Sequence, residues 1–410
     1  MPETRPNIVI ILSDDQGYAD VGYHGHCDDV ETPHTDQLAA EGVQLSDGYA
    51  SGYVCAPTRA GLMTGRYQQR FGFYMASDSR VGMPTDEITI ANLLKDAGYT
   101  TGVFGKWHLG LDPEFHPLKR GFDEFYGFLG HGAHDYFDLE AKPGHDYNAI
   151  YRNDKIISDS GYLTDILGRE SVSFIENHKD EPFFLYLPFN AVHWPLQAPQ
   201  DDIANYDTGN PDRNIQLAMV KRMDIAIGTV IAALKDNGVW DNTLLFFFSD
   251  NGGAKKNHAD NTPLRDYKHS VYEGGLRVPF AVTWPGHIEP GTTCDEPIIS
   301  IDILPTICAA TGIDLPDDRI YDGQNMLPAF QDTSNAPLHQ NLFFDGDDGY
   351  WSVRSGQWKL VFNSDEELEL YNLKDDIGES TDLSQQHPEK VRELHNNYQN
   401  WRNEMAPRIT

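Results

Sequence analysis

The sequence predicts an α/β protein whose large, mostly parallel central sheet is flanked by helices, with a smaller C-terminal subdomain of antiparallel sheet plus helix. Two observations predict this fold. Continuous apolar runs, typical of parallel strands covered on both faces, alternate with helical segments as far as about residue 335. Beyond that point, short strands separated by turn residues precede one last amphipathic helix. We therefore predict an N-terminal α/β domain over residues 1–335 and a C-terminal subdomain over residues 336–410.

The individual elements follow from apolar periodicity and from helix-capping residues. The first strand is the β-branched run from Asn7 to Leu12. A short helix lies between Thr32-Pro33, an N-cap followed by an N1 proline, and Gly42. The further predicted strands are 99–104, 182–189, 244–248 and 278–284, with short strands within 349–362 and 369–373. The further predicted helices are 86–97, 163–178, 215–237 and 389–405.

Composition excludes some classes of partner. The chain has 410 residues, with 31 basic against 63 acidic side chains and a net charge of −32. Nucleic acid is not expected as a partner, because phosphate backbones require basic surfaces. No apolar run is long enough for a membrane span. The start of the sequence shows no signal peptide, which leaves two alternatives: a periplasmic or secreted protein if a signal was trimmed, and otherwise a cytoplasmic one.

Cysteine usage excludes a disulfide-based scaffold. The four cysteines are Cys27, Cys55, Cys294 and Cys308. If Cys55 has a chemical role, at most one disulfide is possible among the other three.

Polar segments follow four of the predicted strands, at the point where each strand ends. In open α/β sheets the ligand crevice lies outside the carboxyl ends of the strands, so we expect these segments to share one cleft. In chain order they supply Asp14 and Asp15, Lys106 and His108, His193, and finally Asp250 and Asn251.

The acidic members of this set predict a metal site. Asp14, Asp15, Asp250 and Asn251 offer only oxygen ligands. Three adjacent carboxylates need a counter-cation, and an all-oxygen set favours calcium or magnesium over zinc. The alternative is that these residues cap the helices that follow the strands.

A second motif is Cys55-Ala56-Pro57-Thr58-Arg59. Pro57 suits the first turn of a helix, which places Cys55 just before that turn, at the positive end of the helix dipole. Arg59 is four residues further on and returns to the same face. A buried cysteine in a helix cap is the alternative. A thiolate is a soft ligand and is unfavourable in a site whose other ligands are hard oxygen atoms. This mismatch indicates that Cys55 does not act as a thiol.

The charges in the expected cleft indicate its ligand. Arg59, Lys106 and Lys268 supply three positive charges, and a divalent metal adds two. Together they outweigh the three carboxylates, so the cleft is expected to bind a small tetrahedral anion.

These motifs resemble those of the type I, formylglycine-dependent sulfatases of the alkaline phosphatase superfamily. The resemblance runs from residue 6 to near the C-terminus, with the motifs in the order and spacing of that family. The matching segments are Asp14-Asp15, Cys55 to Arg59, Gly98 to Thr101, Gly105 to His108, Met219 to Asp224, Asp250 to Gly253 and Glu273 to Pro279.

The resemblance implies a cofactor, a modification and a role for each site residue. Cys55 would be converted by a separate maturase to formylglycine, whose hydrate binds the metal and attacks sulfur. One Ca²⁺ per chain would be bound by Asp14, Asp15, Asp250 and Asn251 together with residue 55. Arg59 and Lys106 would hold the hydrate and the sulfate. Lys268 and His193 would face the ester oxygen, and His108 would assist breakdown of the sulfated hemiacetal.

The expected reaction is hydrolysis of a sulfate monoester, with a sulfated carbohydrate as substrate. The segment from Gly130 to Phe137, with Tyr147 and Tyr151, is polar and aromatic enough to line a sugar subsite, although a surface loop packed by its own aromatics is the alternative. Other functions that the motifs leave open are an aryl sulfatase, and a phosphonate or phosphodiester hydrolase of the same superfamily. A calcium-stabilised binding protein without activity is a further alternative.

Overall fold

The computed structural model of the chain describes residues 5–130, 134–140, 142, 149–331, 337–363 and 367–409. Within these ranges the strands are β1 (Asn7–Ser13), β2 (Val43–Leu45), β3 (Gly48–Tyr49), β4 (Thr100–Lys106), β5 (Glu124–Phe128), β6 (Ile150–Arg152), β7 (Lys155–Ile157), β8 (Phe183–Pro188), β9 (Thr243–Ser249), β10 (Phe280–Thr283), β11 (Thr292–Cys294), β12 (Ile298–Ile299), β13 (Leu342–Asp345), β14 (Trp351–Ser355), β15 (Trp358–Phe362) and β16 (Leu368–Asn372). The α-helices are α1 (Pro33–Ala40), α2 (Cys55–Thr64), α3 (Ile90–Asp96), α4 (Leu163–His178), α5 (Gln200–Ile203), α6 (Pro211–Asp236), α7 (Glu273–Leu276), α8 (Ile303–Thr311) and α9 (Pro388–Arg402).

The main sheet has ten strands in the order β11-β2-β10-β9-β1-β8-β4-β5-β6-β7. Its centre, from β9 through β1, β8 and β4 to β5, is parallel throughout. Antiparallel pairs occur on both flanks, where β10 joins β9 and where β6 joins β5. The predicted fold class is therefore confirmed, with a sheet that is mixed at its edges and parallel where the four polar segments emerge.

Burial on both faces explains the apolar runs that predicted the central strands. In β1, Ile8, Ile10 and Leu12 join the core on one side of the sheet, while Val9 and Ile11 join the core on the other. Helices α2, α3 and α8 contribute to the first core, and α4 and α6 contribute to the second. Since a strand covered on both faces has no polar side, its sequence shows no alternation.

The starts of helices α2, α3 and α6 differ from the prediction. Helix α6 begins at Pro211, four residues earlier than expected, because the Asn210 side chain accepts hydrogen bonds from the backbone N–H groups of Asp212 and Arg213. Helix α3 begins at Ile90, four residues later than expected, because Thr89 accepts a hydrogen bond from the backbone N–H of Asn92 and caps the helix there. Helix α2 includes Cys55 as its first residue, with Val54 as the N-cap, so Cys55 lies inside the first turn and not before it.

The C-terminal part forms a separate four-stranded antiparallel sheet in the order β13-β14-β15-β16, with α9 packed on it. Leu394 of α9 contacts the core of this sheet with Val353 and Leu360. A division of the chain between residues 335 and 336 stays a prediction, since 332–336 lie outside the described residues. Among the helices described, none is long and apolar enough to cross a membrane.

A buried group of charges joins the two sheets, and we call it the inter-sheet cluster: Asp47, Glu273, Glu379, Arg277, Arg354 and Lys359. The Lys359 Nζ lies 2.8 Å from Glu273 Oε1 and 3.0 Å from Glu379 Oε1. Asp47 pairs with both arginines. Glu273 opens helix α7 in the main body while Lys359 lies on β15, so these contacts bind the C-terminal sheet to the segment that carries Lys268.

Candidate active site

The four polar segments meet at one edge of the sheet. Strands β9, β1, β8 and β4 are consecutive and parallel, so their carboxyl ends lie side by side. The predicted shared cleft is therefore present at the place where α/β folds bind ligands. Hydrogen bonds and ion pairs join Asp14, Asp15, Lys106, His193, Asp250 and Asn251 there, directly or through Arg59. His108 follows two residues after the end of β4.

Each carboxylate in the cleft faces a cation. We call this group the cleft cluster: Asp14, Asp15, Asp250, Arg59, Lys106 and Lys268. The Lys106 Nζ lies 2.5 Å from Asp14 Oδ2, and Lys268 pairs with Asp15 Oδ1. The Nε and one terminal nitrogen of Arg59 lie 2.9 and 2.8 Å from Asp250 Oδ2. All six side chains are buried or nearly so, which strengthens their interactions.

The carboxyl groups respond differently to this burial. Burial acts to raise the pKa of Asp14, but Lys106 and the other cations outweigh it and hold that pKa far below its usual range. Burial, reinforced by the charge of Asp14, raises the pKa of Asp250 to about 6. The repulsion between neighbouring carboxylates is thus only partly relieved by the side-chain cations, and a bound metal ion would relieve it further.

Asn251 completes the oxygen donors. Its Nδ2 donates to Asp15 Oδ1 at 2.8 Å and to the Gly252 carbonyl at 2.9 Å. Its Oδ1 is buried and has no hydrogen-bond partner within the described part of the chain. A buried acceptor without a donor costs free energy, and a cation at this point would remove that cost. The donor set therefore fits a hard divalent metal ion.

Cys55 lies among these oxygen atoms. Its Sγ is 3.6 Å from Asp14 Oδ1 and 3.1 Å from Lys268 Nζ, at the N-terminus of α2. Potential ligand atoms of Asp14, Asp15, Cys55 and His193 lie within 4.8 Å of one another. Burial raises the pKa of the Cys55 thiol to about 12 against the opposing effect of Lys106 and Lys268, so the unmodified thiol is protonated at neutral pH.

Arg59 is engaged with protein groups. Besides its two bonds to Asp250, its other terminal nitrogen donates to the Lys106 carbonyl at 2.8 Å, and it is fully buried. These contacts fix the end of β4 relative to that of β9. The guanidinium group thereby orients two members of the cleft cluster.

His193 and Lys268 both reach Asp15. The Nε2 of His193 is 3.5 Å from Asp15 Oδ2, while its Nδ1 is 2.6 Å from the Trp194 carbonyl, which identifies Nδ1 as the protonated nitrogen. Burial lowers the pKa of His193, although Asp15 opposes the change. Burial also acts to lower the pKa of Lys268, but the negative charge of Asp15 raises it well above its usual value.

Two site residues adopt a left-handed backbone conformation. Asp15 and His108 both have φ of 61°, a region that costs a non-glycine residue about 1 kcal/mol or more. His108 is buried two residues beyond the end of β4, and its N–H donates to the Leu129 carbonyl at 3.3 Å. Such strain is maintained where the surrounding structure fixes it, often at functional sites.

Sequence reasoning missed the residues that support the cleft. Asn257 Nδ2 donates to Asp15 Oδ2 at 3.2 Å and to the Val192 carbonyl at 3.1 Å. The buried Tyr136 places its Oη 2.7 and 2.9 Å from the carbonyls of Asn190 and His193. An asparagine at the end of a short 3₁₀ helix and a tyrosine in an aromatic segment carry no local signal of these contacts.

The predicted sugar subsite stays a prediction, and its described residues lie in different surroundings. Tyr136 supports the His193 segment from within the core, and Tyr151 lies on the peripheral strand β6, stacked on Phe125. Phe137 is 47% exposed. Tyr147 and the segment 131–133 lie outside the described residues.

Comparison with known proteins agrees with this fold and site. The sulfatase family model matches residues 6–313, and the model for the C-terminal part of N-sulphoglucosamine sulphohydrolase matches residues 266–404. The chain belongs to the sulfatase family, and its activity is that of a sulfuric ester hydrolase.

Individual relatives cover most of the chain. N-acetylgalactosamine-6-sulfatase of Mus musculus is 34% identical in an alignment of 382 positions, which covers 86% of this chain and 71% of the relative. Arylsulfatase A of Bos taurus is 35% identical in an alignment of 387 positions, which covers 87% of this chain and 75% of the relative. The crystal structure of Ps i-CgsB in complex with k-i-k-neocarrahexaose superposes with a TM-score of 0.93 at 38% identity, covering 98% of this chain and 94% of that one.

Proposed function

We propose that this sulfatase hydrolyses a sulfate monoester of a sulfated carbohydrate, using formylglycine derived from Cys55 and one bound Ca²⁺. The observation that carries the proposal is the position of Cys55. Its Sγ lies between the Asp14 carboxylate and the Lys268 ammonium group, inside a set of oxygen ligands that suit a hard metal ion better than they suit a thiol.

Calcium would be held by Asp14, Asp15, Asp250 and Asn251 together with residue 55. The unpartnered Oδ1 of Asn251 and the raised pKa of Asp250 support a cation in this position. When bound, the ion supplies a fixed positive charge that attracts the sulfate and neutralises the carboxylates.

Conversion of Cys55 to formylglycine, by a separate maturase, supplies an aldehyde hydrate whose two hydroxyl groups serve for attack on sulfur and for later release of sulfate. The side chains of the cleft prepare this attack. Lys106 and Lys268 bind the equatorial sulfate oxygens and stabilise the charge of the transition state. Arg59 holds Asp250 and the end of β4 in place and adds positive charge.

The leaving alkoxide of a sugar needs a proton. His193 and Lys268 both approach Asp15 from separate segments, and we assign the donation to His193, since histidine titrates nearer neutral pH. His108, at the end of β4, is assigned to the breakdown of the sulfated intermediate.

A carbohydrate substrate is supported by the relatives. One relative is named N-acetylgalactosamine-6-sulfatase, after a sulfated sugar. The structure of Ps i-CgsB, which superposes with a TM-score of 0.93, contains a bound oligosaccharide. Arylsulfatase A at 35% identity makes a simple aryl sulfate the second candidate.

The test combines mass spectrometry with activity. Protein co-expressed with a maturase should show formylglycine at position 55 and should desulfate saccharides in a panel of sulfate and phosphate esters. Cys55→Ala should abolish turnover while the fold remains intact. Cys27→Ala is the matched control, because Cys27 contacts Asp29 and Arg213 away from the cleft. Full turnover by protein that retains the Cys55 thiol would falsify the proposed mechanism.

A further inference from the structure

An exposed tryptophan lies beside the cleft. Trp194 directly follows His193, and its side chain is 41% exposed. Its N–H donates to Asn257 Oδ1 at 3.2 Å, and Asn257 in turn donates to Asp15. Two hydrogen bonds therefore connect the Trp194 backbone to a carboxylate of the cleft cluster, so this residue is held beside the cleft.

Lys256 covers this indole. Its Nζ lies 3.7 Å from the centroid of the ring, and the side chain is exposed. Lys256 belongs to the segment that follows Asp250 and Asn251, so it too is carried by a strand end of the cleft.

The partners of Lys256 distinguish it from similar lysines. Three lysines lie over an aromatic ring in the described ranges. Two of them also pair with a carboxylate: Lys221 with Glu31 at 2.7 Å and Lys235 with Glu41 at 2.8 Å. Lys256 forms no ion pair with any residue that the structure describes. In a protein of net charge −32, an unpaired ammonium group at the mouth of the site is available for an external anion.

We propose that Trp194 and Lys256 form a subsite for a second sulfate group, on the sugar next to the one that is desulfated. The proposal rests on the proposed function and specifies its substrate as a saccharide with sulfates on adjacent residues. The apolar face of a sugar ring packs on the part of the indole that is exposed beside Lys256, and the Lys256 ammonium group binds the sulfate through a charge-assisted hydrogen bond. Both contacts lie outside the cleft cluster, so they determine affinity and specificity and leave the reacting atoms unchanged.

Binding to the unmodified protein tests the subsite without turnover. The protein is expressed without a maturase, and calorimetry measures the dissociation constants of two oligosaccharides of equal length. One carries a single sulfate, and the other carries a second sulfate on the adjacent sugar. We expect the disulfated saccharide to bind about tenfold more tightly, as a single charge-assisted hydrogen bond allows.

The variants separate the two contacts. Lys256→Gln should reduce the tenfold ratio to about one, with the monosulfated saccharide unaffected. Trp194→Ala should weaken both saccharides. Lys155→Gln removes an exposed lysine on the outermost strand β7 and should leave the ratio intact.

The possible outcomes also separate the two proposals. Equal affinity of wild-type protein for both saccharides, or a ratio that Lys256→Gln leaves intact, overturns the subsite. Turnover of 4-nitrophenyl sulfate by the maturase-treated protein reports the sulfatase chemistry separately. Its absence from protein in which formylglycine has been confirmed would count against the proposed mechanism, whereas the binding ratio would still decide the subsite.

Discussion

The protein contains two buried charge clusters of equal composition and different character. The cleft cluster and the inter-sheet cluster each combine three acidic side chains with three basic ones. In the inter-sheet cluster Lys359 pairs with both Glu273 and Glu379, so the acidic and basic side chains of the two parts of the protein interact with one another. Beside the cleft cluster, the buried Oδ1 of Asn251 has no hydrogen-bond partner in the described structure, and within the cluster the Asp15 backbone is left-handed. Backbone strain does not distinguish the two clusters, because Glu379 of the inter-sheet cluster is left-handed as well, with φ of 49°. What distinguishes the cleft is a buried oxygen that no protein group engages, whereas the Oε1 of Glu379 pairs with Lys359 at 3.0 Å.

The largest expected effect comes from removing a carboxylate of the cleft cluster. In wild-type protein, calcium at a thousandfold excess over its dissociation constant should stabilise the fold by about 4 kcal/mol. Asp15→Asn should abolish this stabilisation and reduce kcat/KM at least about a thousandfold, as expected for the loss of a preorganised electrostatic site. Thermal unfolding with and without a chelator measures the first effect.

Glu273→Gln is the matched control, because it removes a buried carboxylate from the inter-sheet cluster. The variant should keep the full stabilisation by calcium. If Asp15→Asn kept it as well, Asp15 would not be a calcium ligand.

The second prediction concerns the inter-sheet cluster, where a substitution should change stability and leave activity nearly unchanged. Lys359→Met leaves Glu273 and Glu379 buried without their shared cation and should lower the free energy of unfolding by about 3 kcal/mol. We expect kcat at a temperature where the variant is folded to change by no more than a few-fold. Urea denaturation measures the stability, and the double variant with Glu379→Gln should recover part of the loss. A catalytic defect without a stability defect would contradict a structural role.

The third prediction concerns the leaving group. If His193 donates the proton, His193→Ala should reduce hydrolysis of a sugar sulfate by roughly a hundredfold. The loss should be much smaller for 4-nitrophenyl sulfate, whose phenolate leaves without a proton. Steady-state kinetics with both esters measure the difference. Equal losses would move the proton donor to Lys268 or to water.

Much of the fold was predictable because its signals are local. Strand β1 was recognisable as a central strand because both of its faces are buried. Helix α4 has the predicted bounds because its apolar periodicity extends over its full length. The antiparallel pairing of β10 was not predictable, since pairing direction depends on contacts that are distant in sequence.

The site was predictable where chemistry and chain position coincide. Asp14 and Asp250 directly follow strands, so the topology alone brings them together. Lys268 lies in a loop and Asn257 ends a short 3₁₀ helix, and only the folded structure shows that both contact Asp15. The sequence suggested Lys268 through its motif, whereas Asn257 had no such indication.

The smallest expected effect is a pH dependence in the inter-sheet cluster. Burial, with the nearby charge of Glu273 and against that of Lys359, raises the pKa of Glu379 to about 7. Glu379 in the unfolded chain loses its proton near its ordinary pKa of 4.5, while the folded protein retains it. The unfolded state thus binds fewer protons between about pH 4.5 and pH 7, and the free energy of unfolding falls as the pH rises through that window.

The pKa of Glu273 is shifted in the opposite direction from that of Glu379. The two groups therefore affect the free energy of unfolding in different pH ranges and can be measured separately. Burial acts to raise the pKa of Glu273, but Lys359 and the arginines lower it to about 2, so its contribution is present above pH 4.5 and is lost as the pH falls towards 2. In wild-type protein the free energy of unfolding should fall by on the order of 2 kcal/mol between pH 4.5 and pH 7, and Glu379→Gln should remove this fall. The loss of stability below pH 4.5 should stay unchanged in the variant. Urea denaturation of both proteins at pH 5 and pH 7 gives the difference directly, and titrations elsewhere cancel between them. If the variant declined as steeply as the wild-type protein, Glu379 would be ionised in the fold, and the inter-sheet cluster would carry one more negative charge than this pKa implies.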